Sequence, residues 1–167
     1  PAGFARDPDL VHDFYDRRRR EAAAARPNAA HRALAELERR LPARGHRSGV
    51  VIVTQNVDDL HERAGSRQVV HMHGSLASAL CLACGARTAW HDDLAPRPPC
   101  PHCQAAALRP DIVWFGEPVY HADTIDAAVT ACESFVVIGT SGTVWPAAGL
   151  AALAREYGAR TTLVNLE

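Results

Sequence analysis

Four cysteines stand in two Cys-x-x-Cys pairs, Cys81/Cys84 and Cys100/Cys103, with fifteen residues between Cys84 and Cys100. Each pair makes a tight knuckle that aims two sulfurs at one ion, and the intervening segment folds the knuckles together. That is the spacing of a four-thiolate zinc site. Four thiolates fill a tetrahedral shell and leave no position for water, so such a zinc holds structure and does no chemistry. Two disulfides, or a redox Cys-x-x-Cys, are the competing readings. Disulfides suit secreted chains, and the first residues do not read as a signal peptide. Cys132, in the apolar stretch Ala127–Phe135, is expected to pack as a small hydrophobe.

Histidine is the side chain best suited to move a proton near neutral pH. His73, ahead of Gly74-Ser75, is a candidate base; His71 stands two residues earlier, and spacing alone does not choose between them. Gln55, Asn56 and Asp58 follow a β-branched run. Amides and a carboxylate there either bind a polar ligand or cap the next helix. Gly139-Thr140-Ser141 follows a second such run and can present backbone N–H groups to phosphate or ribose, or make an ordinary turn. Asn165, Leu166 and Glu167 follow a third, where an acidic or amide side chain suits a ribose or is simply solvated. Tyr15 and Arg18, three residues apart, share one helix face. A phenol and a guanidinium together can grip a carboxylate, although arginine runs usually lay their stems along a solvated helix.

The elements that must position these groups are legible in outline. Asp7-Pro8-Asp9 predicts a helix start, continued by Leu10, Val11, Phe14 and Tyr15 and by the run 17–25. Ala30, Leu34, Leu37 and Leu41 mark a second amphipathic helix, ended by Pro42 and Gly45. Residues 49–54, 135–139 and 161–165 read as strands buried on both faces, and 69–72 as a short strand. Residues 57–64, 123–132 and 146–157 read as helices. Alternating strands and helices predict an α/β fold with a doubly wound parallel sheet, helices on both faces, and ligands outside the carboxyl ends of the strands. The prolines between 96 and 110 forbid long helices in the cysteine segment. Residues 76–110 are therefore expected to form a small zinc-binding module inserted in a domain built from 1–75 and 111–167. The length of 167 residues suits this plan. A net charge of −1 argues against nucleic acid or a membrane surface as partner, and the cytoplasm is the expected compartment. Arginine supplies every fixed positive charge, since lysine does not occur.

In chain order, Thr54-Gln55-Asn56-Val57-Asp58-Asp59-Leu60-His61, His73-Gly74-Ser75, the two cysteine pairs, Arg109-Pro110-Asp111-Ile112-Val113-Trp114-Phe115-Gly116-Glu117, Gly139-Thr140-Ser141 and Asn165-Leu166-Glu167 together resemble the sirtuins, NAD-dependent protein-lysine deacylases. The resemblance spans nearly the whole chain and implies a Rossmann-like sheet, NAD, one structural zinc ion and acylated lysine in a protein or peptide. It places Gln55, Asn56 and Asp58 at the nicotinamide and ribose, and Gly139, Thr140, Ser141, Asn165, Leu166 and Glu167 along the rest of NAD. It makes His73 the base and implies free lysine, nicotinamide and O-acyl-ADP-ribose as products. Val113, Phe115 and Gly116 then line the acyl-lysine tunnel, with Glu117 beside an extended peptide docked by main-chain pairing. Tyr15 and Arg18 are similar to the pair in the subgroup that removes succinyl, malonyl and glutaryl groups, which implies a desuccinylase and demalonylase that also deacetylates. The family's Gly-Ala-Gly-x-Ser phosphate loop has no match here, and the region beyond Glu167 that covers the adenine is missing too. A fragment is expected, with weak NAD binding and little catalysis on its own. The second reading is a zinc-stapled interaction module without turnover.

Overall fold

Asp7 accepts a hydrogen bond from Leu10 N at 3.0 Å and Pro8 occupies the first turn, so α2 (Pro8–Ala24) begins where the sequence predicts. A short helix not expected from the sequence, α1 (Ala2–Arg6), precedes it. The computed structural model describes residues 1–41 and 49–165. In α3 (Ala29–Arg40) the Asn28 side chain accepts from His31 N while His31 Nδ1 answers Asn28 N, a reciprocal cap. Pro42 and Gly45, expected to end this helix, lie outside the described residues.

Strand β1 (Ile52–Thr54) pairs in parallel with β2 (Val69–His71), Ile52 opposite Val69 and Thr54 opposite His71. Between them runs α4 (Leu60–Ala64), stopped by Gly65 at φ +108°. The helix starts three residues later than expected because Asp58 Oδ1 takes the Leu60 N–H at 3.1 Å and holds 57–59 as a turn. An antiparallel sheet follows, with β3 (Gly74–Cys81) central between β4 (Arg87–Ala89) and β5 (Leu108–Ile112). It straddles both expected module boundaries, since Gly74 pairs with Ile112. Gly74 must be glycine: its φ is +86° and a Cβ would stand 2.1 Å from Asp111 O. Then come α5 (Ala122–Ala131), β6 (Ser134–Ile138), a 3₁₀ turn (Ala147–Gly149), α6 (Leu150–Glu156) and β7 (Arg160–Val164), parallel to β6.

Two apolar clusters hold these parts. Met72, Ile125, Val129, Ala154 and Ala159 are buried together, with Val53, Val70, Phe135, Leu150 and Leu153 around them. Ala79, Cys81, Leu94, Cys100 and Leu108 form the other, beneath the cysteine pairs. The expectation that 135–139 and 161–165 are buried on both faces is corrected here. Helices α5 and α6 cover the face that carries Phe135, but Val136 (50% exposed), Ile138 (43%) and Leu163 (67%) have no described element over them.

Candidate active site

The carboxyl ends of β1, β6 and β7 converge. Gln55, just past β1, donates from Nε2 to Thr140 Oγ1 at 3.2 Å. Asn165, just past β7, donates from Nδ2 to Thr140 O at 3.0 Å. The Gln55 carbonyl in turn meets His73 Nδ1 at 3.2 Å. Four of the residues singled out in the sequence, His73, Gln55, Thr140 and Asn165, therefore form one hydrogen-bonded line beyond the ends of β2, β1, β6 and β7.

This geometry separates the two histidines. The Gln55 carbonyl can only accept, so His73 Nδ1 carries the hydrogen and Nε2 keeps its lone pair. His71 has both ring nitrogens engaged, Nε2 with Glu62 Oε1 at 2.7 Å and Nδ1 with the Asn56 carbonyl at 3.2 Å. It packs the base of β2 against α4. His73 is the imidazole with a nitrogen left for proton transfer.

Other expected residues are placed less directly. The Asp58 side chain spends one oxygen on the α4 start, and the Asn56 side chain stands exposed. Ser141 is turned toward Thr143, Oγ to Oγ1 2.8 Å, while Gly139 at φ +64° makes the tight exit from β6. Leu166 and Glu167 lie outside the described residues.

On α2, Tyr15 OH accepts from Trp114 Nε1 at 2.9 Å, which leaves its own hydrogen free to donate. Burial pushes the Tyr15 phenol above its usual range, against the pull of the Trp114 donor, so it stays protonated at neutral pH. Arg18 leans toward Glu21 at 3.5 Å and is solvent-facing. Phe115 projects into solvent, 92% exposed, Val113 is half-buried, and Gly116 has φ +89°. The Glu117 carboxylate turns inward, accepting from Trp114 N at 2.9 Å and Arg109 Nη2 at 3.1 Å. Arg109 lies over the Trp114 ring, 4.1 Å from its centroid. Trp114 and Arg109 stand in the motif 109–117 without a site role drawn from the sequence, and the contact of Trp114 with Tyr15, 99 residues away, has no local signal.

The four cysteine sulfurs lie within 4.8 Å of one another. Cys81 and Cys103 are 3.6 Å apart, Cys84 and Cys100 3.9 Å. Zn–S bonds of about 2.3 Å in a tetrahedron require sulfurs about 3.8 Å apart, so the donor set fits zinc. The Cys84 backbone N–H pulls Cys81 down to about 7. The Ala86 N–H pulls Cys84 the same way, yet burial and the neighbouring thiols push it up to about 12. A dication among them would favour the thiolate form of all four.

A profile of the Sir2 family matches residues 1–146. An NAD-dependent protein deacylase of Caulobacter vibrioides is 52% identical over 171 residues, covering the whole chain and 70% of that protein. The chain belongs to the Sir2 family. The sirtuin resemblance thus holds, and with it the class of enzyme these relatives are named for. A deacylase of Leishmania major is 48% identical and covered to 69%, one of Salmonella typhimurium 46% and covered to 60%. Among solved structures, a Sir2 homologue in complex with NAD superposes with a TM-score of 0.89 at 39% identity, over 100% of this chain and 64% of that one. Another, Sir2Af2 bound to a myristoylated histone peptide, gives 0.76 at 35%, over 99% and 70%. This sirtuin chain spans about 60–70% of the length of these relatives. Its α/β fold is the Rossmann-like class with a cysteine-bearing insert that the sequence predicts.

Proposed function

We propose that this sirtuin is an NAD-dependent protein-lysine deacylase that prefers succinyl- and malonyl-lysine, also removes acetyl groups, and yields nicotinamide and O-acyl-ADP-ribose. The observation that carries the reading is the line His73–Gln55–Thr140–Asn165 at the strand ends. NAD, when bound, supplies the electrophilic ribose carbon and the nicotinamide leaving group. The His73 Nε2 lone pair takes the proton of a ribose hydroxyl, and the Nδ1 bond to Gln55 fixes its tautomer. Gln55, Asn56 and Asp58 orient the nicotinamide ribose, and Gly139, Thr140, Ser141, Asn165, Leu166 and Glu167 hold the remainder. Val113, Phe115, Gly116 and Glu117 receive the lysine-bearing peptide. The Tyr15 hydroxyl and a swung-in Arg18 grip the acyl carboxylate.

Residues 76–110 act as the metal-stapled insert of an NAD-binding domain made by 1–75 and 111–167, with one zinc on Cys81, Cys84, Cys100 and Cys103. No described helix is long and apolar enough to cross a membrane. That and the near-zero charge support a cytoplasmic enzyme with neither membrane nor nucleic acid as partner. The test is nicotinamide release from NAD with succinyl- and acetyl-lysine peptides. Turnover faster on the succinyl peptide is expected; no release with either peptide from a full-length protein that carries the phosphate loop sinks the reading. The uncovered face of β6 and β7 favours one second reading, a zinc-stapled interaction module, which the same assay discriminates.

A further inference from the structure

We propose that Asp16 is a positioning residue, a latch that fastens α2 to the segment between the cysteine pairs, so that the metal site sets where Tyr15 and Arg18 stand. Asp16 is 2% exposed. Its two oxygens accept from Leu94 N at 2.9 Å, Ala95 N at 2.8 Å and Arg19 Nη1 at 2.7 Å. A buried carboxylate is tolerated only when its oxygens are met by donors, and here backbone N–H groups of the insert supply most of them. Arg19, buried one helical turn away, donates from Nε to Leu76 O on β3 at 2.8 Å. One turn of α2 thus holds both the insert and the strand that runs into Cys81.

The link to the metal is equally direct. Leu94, whose N–H Asp16 holds, is fully buried in one cluster with Cys81 and Cys100. That cluster is small, and without an ion the four thiols no longer cross-link its two ends. Segment 94–95 then loosens and Asp16 loses its donors. Tyr15 is the residue just before Asp16 on the helix, and Arg18 lies two residues after Asp16. At the rim, Arg20 meets Asp93 at 2.6 Å and Arg97 meets Asp9 at 2.5 Å, but these pairs are solvated and contribute little. Coupling of this kind is reciprocal: occupation of the acyl site retards metal loss. The consequence for acyl choice rests on the deacylase reading; the latch itself does not.

Hydrogen exchange on the zinc-loaded protein, before and after stripping with a chelator, tests the latch. Stripping is expected to speed exchange of the α2 amides about tenfold, the scale of one charge-assisted hydrogen bond, and to leave α3 unchanged. Asp16→Asn should show the faster α2 exchange with zinc still bound, whereas Asp93→Asn should match wild type. Equal α2 exchange with and without zinc overturns the proposal, and does so even if the Asp16 variant fails to fold. Wild-type exchange in a folded Asp16→Asn overturns it too. As a second readout, the ratio of succinyl- to acetyl-lysine peptide affinity should fall about fivefold in Asp16→Asn. General loosening would lower both affinities alike, and an unchanged ratio removes the link to Tyr15 and Arg18. If wild type binds neither peptide but α2 loosens on stripping, the deacylase reading fails and the latch stands.

Discussion

His73 and His71 are two residues apart, and only their partners distinguish them. With Nδ1 committed to the Gln55 carbonyl, His73 presents a basic Nε2, while the His71 nitrogens are committed to Glu62 and Asn56. His73→Ala is therefore expected to lower kcat about 10²–10⁴-fold, the usual worth of a positioned base. His71→Ala should cost mainly stability, with kcat within about tenfold; steady-state nicotinamide release and a denaturation midpoint separate the two. If Tyr15 and Arg18 grip an acyl carboxylate as proposed, Tyr15→Phe and Arg18→Ala each remove one charge-assisted bond to it. Each should raise KM for a succinyl peptide about tenfold or more while changing acetyl-peptide kinetics less than threefold. Equal loss on both substrates refutes the carboxylate grip. The types of these residues were legible in the sequence because motif order supplied them. The Trp114–Tyr15 and Asp16–Leu94 contacts were not, since they join residues 99 and 78 positions apart and no local pattern encodes such meetings.

Helices with an explicit cap were placed well from the sequence. Asp7 announces α2 because its side chain satisfies a first-turn N–H group; Asn28 does the same for α3, whose apolar spacing alone marked it. Strands β3 and β5 were not legible. Ser78, Ala77 and Ala79 carry little strand propensity, and Pro110 sits within β5, so pairing there is imposed by tertiary contact and by the cysteine staple. One contact between helices carries a pH consequence. His61 on α4 is buried against His31 on α3, ring centroids 4.7 Å apart, and its Nδ1 has no partner among the described residues. Burial, reinforced by His31, holds its pKa below the usual value; burial does the same to His12 on α2. The unfolded chain then binds protons before the folded one does. Stability is full above pH 6.5 and declines as pH falls through the depressed values. Urea midpoints measured at pH 7.5 and 5.5 should show this decline, and His61→Gln should shrink it. A midpoint that rises on acidification would contradict the burial argument.

The molecule divides its stability between two unlike cores. The parallel pairs lean on α5 and α6 through ordinary apolar packing, Met72, Ile125 and Val129 at the centre. Beneath the cysteine pairs the antiparallel sheet has a small cluster, Ala79, Leu94 and Leu108 beside two cysteines with Trp90 and Ala107 against them, too little to order some thirty residues against conformational entropy of about 1–2 kcal/mol each. A structural zinc contributes on the order of 10 kcal/mol, comparable to the stability of a whole domain. Removing it should therefore melt the insert while β6, β7 and their helices persist. Trypsin reads this directly, because Arg87 on β4 is tied down by Asp111 at 3.2 Å and by the Tyr120 ring, 4.4 Å from its guanidinium carbon. Chelation should accelerate cleavage after Arg87 at least tenfold, and Cys103→Ser should cleave at the fast rate even in added zinc. Acid should act as the chelator does, since protonated thiols release the ion. Cleavage after Arg87 that ignores chelator, pH and the Cys103 substitution would mean that the insert stands on its own packing, and that the four sulfurs hold nothing the fold requires.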